Sequence, residues 1–250
     1  MTVHRRVGSR APLIGLIAVA LALLLPASVF AGSWTTPAPV PSTSRLDSLH
    51  QLATAKGIVH LVHPRVAPRK LDDRVFYQRS TNAGGAWSPP VALFKATPGR
   101  RTVVPNLAID ARNRIVAVAY RVSGPKGHAL YLRTSRDRGL SFGRKVEVFS
   151  TTRSTGIGGP AVAVGNDFTA VAWTNRANGK IQLRISRDDG RSFGKAQTRA
   201  TTKHSIECKR RLTDGLVGLA AADTSLHLAW SHASSRQCYA SSVRVRTSTD

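Results

Sequence analysis

One nine-residue segment, Ser135-Arg136-Asp137-Arg138-Gly139-Leu140-Ser141-Phe142-Gly143, recurs almost unchanged as Ser186-Arg187-Asp188-Asp189-Gly190-Arg191-Ser192-Phe193-Gly194. A third copy, Ser80-Thr81-Asn82-Ala83-Gly84-Gly85-Ala86-Trp87, keeps the serine, glycine and aromatic and puts Asn82 in the aspartate's place. The start of a fourth stands at Ser248-Thr249-Asp250, so successive copies lie 55, 51 and 62 residues apart. A second ladder precedes each copy: Ile58–His63, Ile115–Tyr120, Phe168–Trp173 and Ser225–Trp230, with ends 57, 53 and 57 residues apart. A period of about fifty residues means one supersecondary unit repeated, each burying its apolar surface against the next.

Each unit reads as four short strands rich in β-branched and aromatic residues, separated by Gly, Asn, Ser and Pro turns. In the second unit these are expected at Asn106–Ala111, Ile115–Arg121, Ala129–Ser135 and Phe142–Phe149. No helical periodicity follows residue 31. Four strands per unit define an all-β chain, a β-propeller of four-stranded antiparallel blades. About four blades are expected, at residues 45–94, 103–149, 159–200 and 214–250, in an incomplete ring. Residues 33–40, with Trp34 placed as Trp87 is, could supply a closing strand to the last blade.

The Ser-x-Asp-x-Gly-x-(Ser/Thr)-aromatic pattern resembles the Asp-box, the bacterial neuraminidase repeat of sialidase-like propellers. That resemblance covers nearly the whole chain after residue 31 and implies a propeller fold more strongly than any activity. In it Ser80, Asn82, Gly84, Trp87, Ser135, Asp137, Gly139, Phe142, Ser186, Asp188, Gly190 and Phe193 are structural residues of a turn between third and fourth strands. The aspartate would accept backbone N–H groups, the glycine would supply a positive φ, and the aromatic would pack on the sheet.

Arg5, Arg6 and Arg10 precede the uncharged run Leu13–Leu25 and a small-residue ending at Ala31. This is the pattern of a secretory signal peptide over residues 1–31, too short an apolar run to span a bilayer. The remainder, 32–250, is expected to be secreted, with no membrane span after cleavage. In an oxidising compartment Cys208 and Cys238 are expected to pair, because their loops reach the same face of the last blade.

Charge narrows the chemistry. There are 37 Lys+Arg against 13 Asp+Glu, a net charge of +24, and 28 of the cations are arginines. Two cysteines and few acids exclude an all-cysteine zinc site and leave little for carboxylate chemistry. No cofactor or metal is expected.

In a blade, the loops between second and third strands and between blades share one face. Here they carry Lys95, Arg100, Arg101, Lys126, His128, Arg176, Arg210 and Arg211, which favours an anionic glycan or another acidic extracellular polymer as partner. A protein partner is the other possibility. Exposed aromatics are not interleaved as nucleic-acid stacking requires. The resemblance also implies candidate catalytic positions: Arg45 for a first sugar-binding arginine, Asp72 or Asp73 for the acid/base, and Glu207 for a tyrosine's partner. A complete sialidase set is not found. The reading favoured is a secreted, non-catalytic glycan- or partner-binding module with a basic ligand face. The alternatives are an exo-sialidase-type glycoside hydrolase with part of its site missing, and a surface adhesion or assembly protein.

Overall fold

The computed structural model describes residues 39–40, 49–65, 73–96, 103–152, 156–201, 217–233 and 240–248. Within the unit Pro39–Asp250 these residues form fifteen strands and no helix. Blade one comprises β1 (Gln51–Ala55), β2 (Ile58–Arg65), β3 (Arg74–Ser80) and β4 (Val91–Lys95). Blade two comprises β5 (Val103–Arg112), β6 (Ile115–Gly124), β7 (Gly127–Ser135) and β8 (Val146–Thr151). Blade three comprises β9 (Ala161–Val164), β10 (Thr169–Asn175), β11 (Lys180–Ser186) and β12 (Gln197–Thr201). The fourth sheet comprises β13 (Val217–Ala222), β14 (Ser225–Ala233) and β15 (Ala240–Ser248). Every sheet is an antiparallel meander in chain order, the connectivity of propeller blades, and the described strands form no closed ring.

Second strands carry apolar runs because they are covered on both faces. From Val116 to Arg121 every residue of β6 is buried, as is every residue of β10 from Thr169 to Thr174. Tyr120 and Trp173 are fully buried, and Trp230 is 8% exposed. The cores lie between sheets rather than within them. Val62, Tyr77 and Leu93 of blade one pack with Leu107, Val118 and Tyr120 of blade two. Ala119, Leu132 and Val148 pack with Val162, Val171 and Trp173 of blade three. Ala172, Ile181 and Leu183 pack with Leu226, Leu228 and Trp230.

The repeated segments form the β3–β4, β7–β8 and β11–β12 turns. In each the serine hydroxyl donates to the Asp or Asn side chain, at 2.9 Å for Ser80–Asn82 and 2.7 Å for Ser135–Asp137 and Ser186–Asp188. The same hydroxyl accepts the amide of the glycine four residues on, at 2.8 Å in all three turns. Two successive residues take positive φ: Ala83 and Gly84, Arg138 and Gly139, Asp189 and Gly190.

The glycine has a second reason to be there. A Cβ on Gly139 would lie 1.8 Å from the Tyr77 hydroxyl, and one on Gly190 would lie 2.5 Å from Thr134 Oγ1 and 2.7 Å from Leu132 Cδ2. Tyr77 and Leu132 hold the same repeat position, three residues before the turn's serine. Gly139 and Gly190 are therefore seats for the preceding blade's third strand, whereas a Cβ on Gly84 would meet nothing within 4 Å.

Strand boundaries in blade two differ from expectation: β5 starts at Val103 rather than Asn106, β6 ends at Gly124 rather than Arg121, and β7 starts at Gly127 rather than Ala129. The fourth strand of blade two begins at Val146, not Phe142. Phe142 turns aside to meet Tyr77 edge-on, with ring centroids 4.7 Å apart. The hairpin resumes with the Gly143 amide donating to Thr134 O at 3.0 Å.

Three arginines at one repeat position tie consecutive blades together. Arg133, Arg184 and Arg246 each stand two residues before the turn's serine. Their Nη1 groups donate to the backbone carbonyls of Leu93 at 3.1 Å, Val148 at 2.6 Å and Arg199 at 2.7 Å. Every acceptor lies on the preceding blade's fourth strand. In blade one the position holds Gln78, which bonds within its own blade to Ser88 O and His63.

No helix among the described residues is long and apolar enough to cross a membrane. Residues 1–31, Trp34, Cys208 and Cys238 lie outside the described residues.

Candidate functional site

The face formed by the second-to-third-strand turns and the interblade connections is best defined between blades one, two and three. Here residues 156–160 lie against the end of β10, where Gly158 N donates to Thr174 O at 2.8 Å. Ile157 bridges to Asn175. This segment carries Gly156 past the His128 ring and Gly159 past the Asn106 side chain. His128 is itself fixed by a 2.8 Å bond between Nδ1 and Ser123 Oγ.

Arg121 closes this corner from the end of β6. It is only 8% exposed, and its Nη1 donates to Ile157 O. Its Nε and the Asn106 Oδ1 are buried without a hydrogen-bond partner among the described residues. Burial, and then the charge of Arg176, depresses the Arg121 guanidinium to about 10. Burial also lowers Arg176. The corner thus holds two cations, both partly desolvated.

Outward of this corner, a groove of about 900 Å³ runs between the outer edges of blades one and two. Phe94, Val122, Ala129 and Tyr131 supply its apolar surface, and Lys95, Lys126 and Lys145 its charge. Lys145 Nζ sits 4.6 Å from the Tyr131 ring centroid, a cation–π contact. The acid in the groove is Glu147, whose Oε1 accepts the Ser150 hydroxyl at 2.6 Å. Tyr131 is raised by partial burial and then by Glu147, so its phenol stays protonated at neutral pH. An aromatic wall flanked by lysines suits a sugar ring bearing a carboxylate or sulfate.

The structure separates the sequence's candidate residues. Asp73 is 2% exposed, and its Oδ2 accepts the Val104 amide at 3.1 Å, joining blades one and two. Asp110 repeats the device between blades two and three, accepting Val164 N at 2.7 Å. Burial raises Asp110, against the lowering effect of the Val164 and Ala111 amides and of Arg112. Arg45, Asp72, Arg100, Arg101, Glu207, Arg210 and Arg211 lie outside the described residues. Lys95, Lys126, His128 and Arg176 fall on the expected face. Sequence reasoning missed Arg121, Tyr131 and Lys145. Arg121 sits one residue beyond the conserved-pattern aromatic Tyr120, where the other units have Pro64, Thr174 and Ser231, and that odd cation in a strand was its signal.

Asp137 and Asp188 are held in their turns. Asp137 Oδ1 accepts Ser141 N at 2.9 Å, and Asp188 Oδ1 accepts Ser192 N at 2.9 Å. Hydrogen bonds from the Ser186 and Ser192 side chains hold Asp188 well below the usual carboxylate range. Among the described residues, no group of three His, Cys, Asp or Glu side chains converges as a metal site would.

The fold so defined is the β-propeller of several glycoside hydrolases. A Hadza microbial sialidase superposes with a TM-score of 0.55 at 14% identity, over 80% of this chain and 42% of that one. The GH93 α-L-arabinofuranosidase of Fusarium graminearum, solved with arabinobiose, superposes with a TM-score of 0.51 at 14% identity, over 80% of this chain and 62% of that one. The chain thus spans less than two thirds of the length of either. No protein-family model and no curated protein sequence matches the chain.

Proposed function

We propose that the chain is a secreted Asp-box propeller module that binds anionic glycans without hydrolysing them. The observation that carries this reading is the groove between blades one and two, with Tyr131 and Lys145 stacked and Lys95 and Lys126 beside them. The Arg121–Arg176 corner on the same face adds to it. Secretion is supported by the signal-peptide pattern of residues 1–31. The Asp-box assignment is supported by the Ser–Asp hydrogen bonds of the three repeated turns. Engagement of Asp73 with the Val104 amide favours binding over hydrolysis, since a carboxylate committed to a backbone N–H between blades is poorly placed to shuttle protons.

Calorimetric titration of the full chain with acidic and neutral oligosaccharides tests this. Acidic sugars should bind more tightly, and raising salt should weaken them. Tyr131→Ala and Lys126→Ala/Lys145→Ala should each lower affinity by about tenfold, the scale of a lost charge-assisted or cation–π contact. Equal affinity for neutral and acidic sugars would overturn the reading. Release of a fluorophore from a sialic-acid glycoside, abolished by Asp72→Ala or Asp73→Ala, would establish the enzyme instead.

A further inference from the structure

The opposite face carries a second basic cavity, about 250 Å³ in volume, where the turn of blade two meets that of blade three. Its walls are Thr134, Arg136, Gly143, Arg144, Gly190 and Arg191. Arg136 is held rigidly across the two blades. Its Nη2 donates to Asp189 O at 2.9 Å and Asp188 O at 3.3 Å, and its Nε pairs with Asp189 Oδ2 at 3.3 Å. Those bonds leave Nη1, which would lie 3.7 Å from a Cβ placed on Gly143. Arg144 and Arg191 are exposed and reach the cavity from adjacent blades.

Asp188 and Asp189 offset the three arginines only in part. Among the described residues, Asp189 pairs with Arg136. Both oxygens of Asp188 are bonded inside its own turn, to Ser186, Ser192 and the Arg191 and Ser192 amides. Thr134 adds an independent sign. It is 3% exposed, its hydroxyl has no hydrogen-bond partner among the described residues, and it lies close beneath Gly190 in the cavity wall. Burying a hydroxyl without a partner is costly, and such exceptions in folded proteins point to a group that completes them.

We propose that this cavity is a binding site for a tetrahedral oxyanion, a sulfate or phosphate group, distinct from the groove on the other face. A fixed guanidinium forms the base and the exposed Arg144 and Arg191 flank the ligand, while the Thr134 hydroxyl offers a donor from below. Arginine's planar fork matches the paired oxygens of such a group, which a lysine cluster does not. The pairing of turns one and two does not repeat the set, because blade one carries Thr81 and Pro89 where blade two carries Arg136 and Arg144.

The test titrates the full chain with inorganic phosphate and, separately, with sulfate, at an ionic strength held constant with chloride. Saturable binding of one equivalent is expected, and Arg144→Ala/Arg191→Ala should weaken it by about tenfold or more. Thr134→Val, which keeps the shape and removes the donor, should weaken it by a smaller factor. Lys126→Ala/Lys145→Ala should leave oxyanion binding unchanged while lowering glycan affinity, so failure here and failure of the groove are read separately. No saturable binding above chloride, or equal losses in both double variants, would overturn the site.

Discussion

The Tyr77 hydroxyl lies where a β-carbon on Gly139 would have to be, 1.8 Å from that position. The same hydroxyl bonds His60 Nδ1 at 2.7 Å. One contact thus links two strands of blade one to the turn of blade two.

Gly139→Ala should therefore be among the most destabilising single changes in the chain. The positive φ and the collision with Tyr77 add, and together should cost about 2–4 kcal/mol. Tyr77→Leu, which copies Leu132 and shortens the side chain, should recover part of that loss in the double variant. Urea denaturation followed by far-UV circular dichroism reads both; an additive double variant would show that the two residues do not interact.

His60 makes stability depend on pH. Burial, and then the charge of Arg79, lowers it to about 4, against the ordinary value near 6.5 in the unfolded chain. The unfolded state therefore binds the proton first, and stability falls as pH drops from about 6.5 to about 4, by up to about 3 kcal/mol. Above that window His60 is neutral in both states and contributes no slope. His60→Gln should flatten this part of the profile, measured by denaturation at closely spaced pH values.

Asp188→Asn should cost less than Asp188→Ala, because Asn82 already fills this place in blade one, accepting Ala86 N at 2.7 Å, but it gives up the carboxylate oxygen that accepts the Ser192 hydroxyl at 2.6 Å. Asp188→Ala should cost about 1–2 kcal/mol, the loss of a side-chain acceptor for turn amides. Thermal unfolding of the two variants distinguishes them, and glycan binding should survive in both.

Arg184→Gln should loosen blade two from blade three by about 1–3 kcal/mol, the range for a hydrogen bond from a charged donor. Arg199→Ala should leave the Arg246 bond in place, since Arg246 uses the carbonyl of Arg199 and not its side chain. Native-state proteolysis should accelerate in the first variant and not in the second.

The strands and their order were legible because the repeat fixes them and apolar residues mark each second strand. The function of much of the charge was not. Arg133, Arg184 and Arg246 look like surface basicity in the sequence, because their acceptors are carbonyls about forty residues earlier in chain units that share no side-chain signal. The Tyr131–Lys145 stack was hidden for another reason. A register shift at Leu130 and Tyr131 puts one extra residue, Val148, into β8 and so brings Glu147 opposite Tyr131, and bulges leave no fixed mark in composition. Asp73 read as a loop acid because nothing local foretells that the Val104 amide, thirty-one residues on, will need an acceptor.

The interblade arginines have an evolutionary consequence. A guanidinium that grips a neighbour's main chain asks nothing of the neighbour's side chain, and its acceptors range from the buried aliphatics Leu93 and Val148 to the charged Arg199. For this bond the acceptor residue is constrained only by its packing, while the third strand must keep its arginine. Duplicating or transplanting the second, third or fourth unit would carry a working fastener to its new position. Moving the first would not, because it brings Gln78 in the arginine's place.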